Sequence, residues 1–253
     1  MAGFFMKKTT SLLYGIHPVR EAIESGKTID KVWIQEGRLQ GQLAELLTLF
    51  RDNRILWRQV PSEKLNSLVR GNHQGVVVSL SVVDFVSLEE IVQHAFEKGE
   101  DPFVLVLDGV TDVRNFGAIA RTASCAGVHG ILVPELGSAP LSPDALKTSA
   151  GALLKIPVSR TNSLHHALKF LKNSGLQIFG ATEKAKQNLY SATFEGPVAL
   201  VMGSEDSGFS NDAMKMCDDL VSIPIMKSGV ESLNVSVAAG ISIYEVLRQR
   251  NKN

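Results

Sequence analysis

Along the second half of the chain, short apolar runs alternate with segments whose apolar positions recur at helical spacing. Phe103–Leu107 is continuously apolar, the pattern of a strand in a parallel sheet covered on both faces. Strands are expected at 103–107, 130–133, 155–158, 176–180, 198–202 and 221–223, and helices at 116–126, 143–151, 163–174, 210–218 and 235–248. This alternation predicts a doubly wound α/β domain. The first eighty residues have a different texture. A strand edge near residue 12 leads into a helix around Pro18–Ser25, and Lys31–Gln35 is a short strand. Leu39, Leu43, Leu46, Leu47 and Phe50 put a helix over 39–52, and Ile55–Val60 is a strand. Pro61-Ser62-Glu63-Lys64 opens a short helix through Leu65 and Leu68, and the β-branched run Val76–Leu80 is a strand. Between the two textures, Ser87 followed by Glu90 is a capping-box pattern for a helix ending near Gly99. The chain therefore divides into a polar tail (1–11), a small α/β domain (12–82), a linker (83–101) and a larger α/β domain (102–253).

Composition narrows the classes. At 253 residues and 44% hydrophobic the chain can bury a sizeable core, and 21% charged residues with zero net charge are unlike a disordered chain. Cys125 and Cys217, the only cysteines, cannot form a disulfide scaffold or a four-ligand zinc site. No apolar run reaches the roughly eighteen residues of a membrane span. Lys7 and Lys8 are not followed by the apolar stretch of a signal peptide, so a cytoplasmic protein without membrane partners is expected. Charge is unevenly spread: residues 1–80 carry 11 basic against 7 acidic residues, and residues 81–253 carry 15 against 19. Phosphate contact falls more naturally to the first part.

Three strand ends carry clusters of small and polar residues, where ligands of open α/β sheets gather. The first runs from Asp108 through Asn115, Gly117 and Arg121. Asn115 stands at a loop-to-helix junction and is a candidate cap. Arg121 sits in an otherwise small and apolar helix, where it either meets an anion or snorkels to solvent. The second, Met202-Gly203-Ser204-Glu205-Asp206-Ser207-Gly208, is a tight loop without the lysine of a phosphate-binding loop. The third runs from Ile223-Pro224 through Met226 to Ser232-Leu233-Asn234-Val235, where Ser232 or Asn234 is placed to cap a helix of small residues. Neither a zinc-type histidine spacing nor a nucleophile elbow is present in the sequence.

Together the clusters resemble the three motifs of the SpoU branch of the SPOUT methyltransferases. The first resembles Asn-x-Gly-x-x-x-Arg-Thr at Asn115, Gly117, Arg121 and Thr122. The second resembles Met-Gly-x-Glu-x-x-Gly at 202–208, and the third Ile-Pro-Met with Ser-Leu-Asn-Val-Ser-Val-Ala at 223–226 and 232–238. Tyr14-Gly-Ile-His-Pro-Val and His73-Gln-Gly-Val resemble the N-terminal extension of the members that methylate a guanosine ribose in 23S rRNA. Relatives often have proline where this chain has Val113.

The resemblance implies a SPOUT domain with a parallel sheet and a deep trefoil knot, preceded by a small L30e-like RNA-binding domain. It implies a homodimer that uses S-adenosyl-L-methionine to methylate a ribose 2'-hydroxyl in 23S rRNA or a ribosomal assembly intermediate. A non-catalytic RNA-binding protein, or a ribose methyltransferase of another RNA, is the alternative. Under the resemblance Arg121, Asn115, Glu205, Ser232 and Asn234 are the catalytic set, and Gly203, Ile223, Met226 and Leu233 surround the cofactor. Arg20, Arg70, His73 and Arg114 are candidate RNA contacts, and no metal is expected.

Overall fold

The structure is a computed structural model that describes residues 12–37, 40–204, 208–226 and 232–251. It falls into two compact units. One takes the chain up to Asp84 with Pro140–Asp144, and the other takes Phe85–Ala139 and Ala145 onward.

In the first unit, β1 (Leu12–Tyr14), α1 (Ile16–Glu24), β2 (Ile29–Gln35), α2 (Gln42–Asp52), β3 (Arg58–Val60), α3 (Ser62–Leu68) and β4 (Val76–Leu80) form a sheet flanked by helices on both sides. The strand order is β1-β4-β2-β3, with β4 antiparallel to both neighbours and β2 parallel to β3. The period-two alternation of β4 sorts its residues. Val76 and Val78 join Ile16, Val19, Leu46 and Phe50 on the α1/α2 side, whereas Val77 joins Leu65 and Val69 on the α3 side. The expected strand over 55–60 is shorter, because Arg54 takes a left-handed turn and the Ile55 amide donates back to the Phe50 carbonyl.

In the second unit, α4 (Leu88–Glu97), β5 (Phe103–Leu107), α5 (Val113–Cys125), β6 (Gly130–Pro134), α6 (Pro143–Thr148), β7 (Val158–Thr161), α7 (Leu164–Asn173), β8 (Gln177–Ala181), β9 (Gln187–Asn188), β10 (Val198–Met202), α8 (Asn211–Met216), β11 (Asp219–Ser222) and α9 (Val235–Arg250) follow in order. Its seven strands run β7-β6-β5-β10-β8-β11-β9, and every pair is parallel. β5 and β10 lie at the centre and are buried along their whole length, as a sheet covered on both faces requires. Val104, Val106, Ala199 and Val201 face a cluster built from α4, α7 and α8. α5 and α9 pack along each other, and α9 lies against β10.

Residues 83–101, read from the sequence as a joint, contribute more than a connection. The capping box forms as its spacing predicts, Glu90 N donating to Ser87 Oγ and Ser87 N to Glu90 Oε2, both at 3.1 Å. The helix it starts buries Leu88, Ile91 and Val92 in the core of the second unit. Two expected boundaries move. The helix over 143–151 stops at Thr148, because Ala150 and Gly151 adopt left-handed backbone. The strand over 155–158 begins only at Val158, because Pro157 has no N–H for a ladder, although its carbonyl accepts from Ile131 N. Among the described residues no helix is long and apolar enough to cross a membrane.

Candidate active site

β5 and β10 meet where the strand order turns from the β6–β7 side to the β8–β11 side, and the loops leaving their carboxyl ends are tied together. Asp108, buried at the end of β5, accepts a hydrogen bond from Ser210 N at 2.7 Å, while its own amide donates to the Met202 carbonyl. The loop after β10 closes on itself: Ser204 N donates to Gly208 O at 3.1 Å and Gly208 N to Ser204 O at 3.0 Å. Gly203 lies under that closure. A Cβ there would stand 2.5 Å from the Gly208 backbone carbon, so a side chain would force the loop open.

The first helix of the site starts differently from the sequence reading. Asp112, not Asn115, caps α5, accepting from Arg114 N and Asn115 N at 2.9 and 2.8 Å. That cap also accounts for Val113 in place of proline: it is the first helical residue, whose start the Asp112 carboxylate already defines. Gly117 lets α5 approach α6, since a Cβ would sit 2.6 Å from Thr148 Cβ.

Relieved of capping, the Asn115 side chain meets the third loop. Asn234 Nδ2 donates to Asn115 Oδ1 at 3.0 Å across 119 positions of sequence. Of the two candidates for capping the last helix, Asn234 does so: its Oδ1 accepts from Ser236 N at 3.0 Å. One amide side chain thus starts α9 with its oxygen and joins the first and third clusters with its nitrogen.

Beside this pair a cleft opens over the carboxyl ends of β8, β10 and β11. Gly203, Ile223, Ser232 and Leu233 line it as expected, with Met202, Ser204, Ile225, Val235 and Ala238. Thr182 and Glu183, at the end of β8, line it too and were not anticipated. No motif marks them; only the strand order, which sets β8 beside β10, brings them in. The described lining contains no Lys or Arg and one carboxylate, Glu183. Such a wall disfavours a phosphate-bearing ligand and suits a cationic one with an apolar body.

Other expected residues stand elsewhere. Arg121 is exposed on α5, is not part of the cleft lining, and has no hydrogen bond or ion pair among the described residues. Met226 is 84% exposed and also off the lining. Glu205 lies outside the described residues. In the first unit, Arg70 is exposed, as is Arg114 in the second. Arg20 is paired with Glu45 at 3.1 Å. His73 is engaged at both ring nitrogens. Nδ1 accepts from Gly75 N at 3.0 Å and Nε2 lies 3.2 Å from Asn66 Oδ1, so the ring holds the turn before β4.

The second unit is an open, wholly parallel α/β sheet with a mostly apolar cleft over its strand ends. Comparison with known proteins names the family. Residues 102–244 match the SpoU rRNA methylase family, and residues 12–82 match the model for RNA 2'-O ribose methyltransferase substrate binding. The chain is 36% identical over 246 residues to YacO of Bacillus subtilis, whose name places it in the TrmH family of tRNA/rRNA methyltransferases, covering 97% of this chain and 98% of that one. It is 37% identical over 242 residues to the 23S rRNA (guanosine-2'-O-)-methyltransferase RlmB of Pseudomonas putida, covering 94% and 96%. The SpoU methyltransferase AviRb of Streptomyces viridochromogenes, crystallised with S-adenosylmethionine, superposes with a TM-score of 0.60 at 26% identity, covering 96% of this chain and 91% of that one. The chain belongs to the SpoU methylase family. It is an RNA 2'-O-ribose methyltransferase that uses S-adenosylmethionine as methyl donor.

Proposed function

We propose that this enzyme methylates the 2'-hydroxyl of a guanosine in 23S rRNA, in the cytoplasm and as a homodimer. The guanosine target rests on the similarity to RlmB over nearly the whole chain. The catalytic reading is carried by one observation, the Asn234–Asn115 hydrogen bond, which closes the first and third motif loops beside the cleft.

The cleft fits S-adenosylmethionine, a cation without phosphates. Ile223, Leu233, Val235 and Ala238 offer its nucleoside an apolar wall, and Gly203 holds the loop of β10 closed at the cleft's edge. When bound, this cofactor supplies a methyl group already activated by the sulfonium charge. The protein's task is then to place the ribose oxygen and ease loss of its proton. Arg121 does this by hydrogen bonding and positive charge near the developing alkoxide. It is no general base, because a guanidinium stays protonated far above neutrality. Asn115 and Asn234 hold the loops in register, Ser232 supplies a hydroxyl at the cleft's edge, and Glu205 orients Arg121.

Arg121 stands off the lining of its own chain's cleft, which favours a site completed across two copies. Val237 and Tyr244, each 50% exposed on α9, supply apolar surface for such a contact. The family resemblance adds the trefoil knot; residues 227–231, between the two parts of the third motif, lie outside the described residues. The first unit, L30e-like in this reading, holds the RNA through Arg70 and neighbouring exposed groups, with Arg114 contacting the strand near the methylated ribose.

The test is methyl transfer from labelled cofactor to 23S rRNA lacking its 2'-O-methyl groups, followed by mapping of the product. A single methylated guanosine is expected. Transfer to tRNA alone would overturn the substrate assignment.

A further inference from the structure

Glu183 is the one ionisable side chain in the described lining of the cleft, and neither the motifs nor the family match gives it a role. It follows β8 directly, at the carboxyl end of a strand hydrogen-bonded to β10. Its carboxylate is poorly occupied by the protein: among the described residues its single hydrogen bond comes from Thr182 Oγ1 at a long 3.4 Å. Thr182 is itself fixed, its amide donating to the Val221 carbonyl and its Oγ1 accepting from Lys184 N at 3.4 Å. This exposed carboxylate, at the cleft lining on an anchored turn, has room for further donors among the described residues and is placed to receive a ligand.

We propose that Glu183 binds the ribose 2',3'-diol of the cofactor. Two vicinal hydroxyls present two donors at a spacing that a carboxylate can accept together. An acidic side chain near the end of a parallel strand is a general solution for holding a nucleoside's sugar. The rest of the wall fits this division: the apolar side chains of Ile223, Ile225, Leu233 and Val235 suit the base, leaving Glu183 to receive the polar sugar. Glu183 thereby also disfavours nucleotides with a phosphate on that sugar, by like-charge repulsion.

This inference rests on the assignment of the cleft to S-adenosylmethionine, and calorimetry separates the two. Wild-type protein, Glu183→Gln and Glu183→Ala are titrated with S-adenosylmethionine and with methylthioadenosine, which keeps the ribose but lacks the amino-acid tail. Both variants are expected to bind both ligands at least about ten-fold more weakly than wild type, the size of a lost charge-assisted hydrogen bond. Unchanged affinities would overturn the role of Glu183 and leave the cleft assignment standing. A loss confined to S-adenosylmethionine would place the carboxylate at the amino group and overturn the diol assignment. In a separate control, Leu233→Asp fills the apolar wall with a charge. If it leaves S-adenosylmethionine binding intact, the cleft assignment itself fails. Circular dichroism melting confirms that each variant folds.

Discussion

The two ends of the parallel sheet use the same kinds of side chain to opposite effect. At the amino end, polar groups are spent on the protein. Arg250 donates to the carbonyls of Asp101, Pro102 and Gly196, at 2.9, 3.3 and 2.7 Å, with its guanidinium 5.2 Å from the Phe103 ring centre. Gln249 bridges Ala192 O and Phe194 N, and the buried Glu245 takes two hydrogen bonds from Arg248. At the carboxyl end, Glu183 receives one long hydrogen bond from Thr182, and Arg121, on the helix that leaves that end, has no hydrogen bond or ion pair among the described residues; the bonds that do form there, from Ser210 N to Asp108 and from Asn234 Nδ2 to Asn115, shape loops. One end locks the last helix to the sheet, and the other holds backbone in place while leaving charge for ligands. The lesson is that an arginine's partners, more than its sequence neighbours, separate a structural arginine from a functional one.

The sharpest way to break this contrast is to truncate both arginines. Arg121→Ala is expected to lower kcat by about 10²–10³-fold, as loss of one preorganised donor does, with the melting temperature within a degree or so of wild type. Arg250→Ala should do the reverse. Three carbonyls lose a charged donor, and stability should fall by about 2 kcal/mol, seen as a drop of several degrees in Tm, with turnover per folded molecule retained. If both variants lose activity and stability in parallel, the division between the two ends is wrong.

Asn234 joins the two roles and should show an intermediate effect. Asn234→Ala removes a helix cap and should cost about 1 kcal/mol. A double-mutant cycle with Asn115→Ala should report a coupling of about 0.5–1.5 kcal/mol, since the two side chains share one hydrogen bond. Zero coupling would mean that the first and third loops are held independently.

The smallest effect is expected at the amino end near His129. Its Nδ1 accepts from Phe103 N, which leaves Nε2 to donate to Glu100 at 2.9 Å. That hydrogen bond holds the Glu100 carboxyl below the usual carboxylate range. A carboxyl depressed on folding contributes stability above its unfolded pKa and loses it as the pH falls through the folded value. Glu100→Gln should therefore melt slightly below wild type at neutral pH, with the gap closing on acidification below the ordinary carboxylate range. A gap that widens in acid would contradict the sign.

Much of the scaffold was legible because burial on both faces leaves a plain record. β4, β5 and β10 occupy the expected spans 76–80, 103–107 and 198–202, each a run of apolar and β-branched residues. Boundaries set by backbone were less legible: the left-handed turns at Arg54 and Ala150 have no glycine at those positions to announce them. The site divides along the same line. Gly203, Ile223, Ser232 and Leu233 sit in motif loops and were found together. Asp112 was passed over for Asn115, because Asp and Asn are equally good caps and residue type alone does not choose between them. Glu183 was missed because nothing local distinguishes it. Its meaning comes from strand order, which the hydrophobic pattern does not encode.

The proposed function requires the methyl donor to bind in the cleft over β8, β10 and β11. A crystal structure with S-adenosylhomocysteine tests it most directly. The nucleoside is expected between the Gly203 loop and the Ile223–Leu233 wall, with Arg121 of one copy or the other facing the sulfur side of the ligand. The product bound at any other place on the fold would contradict it.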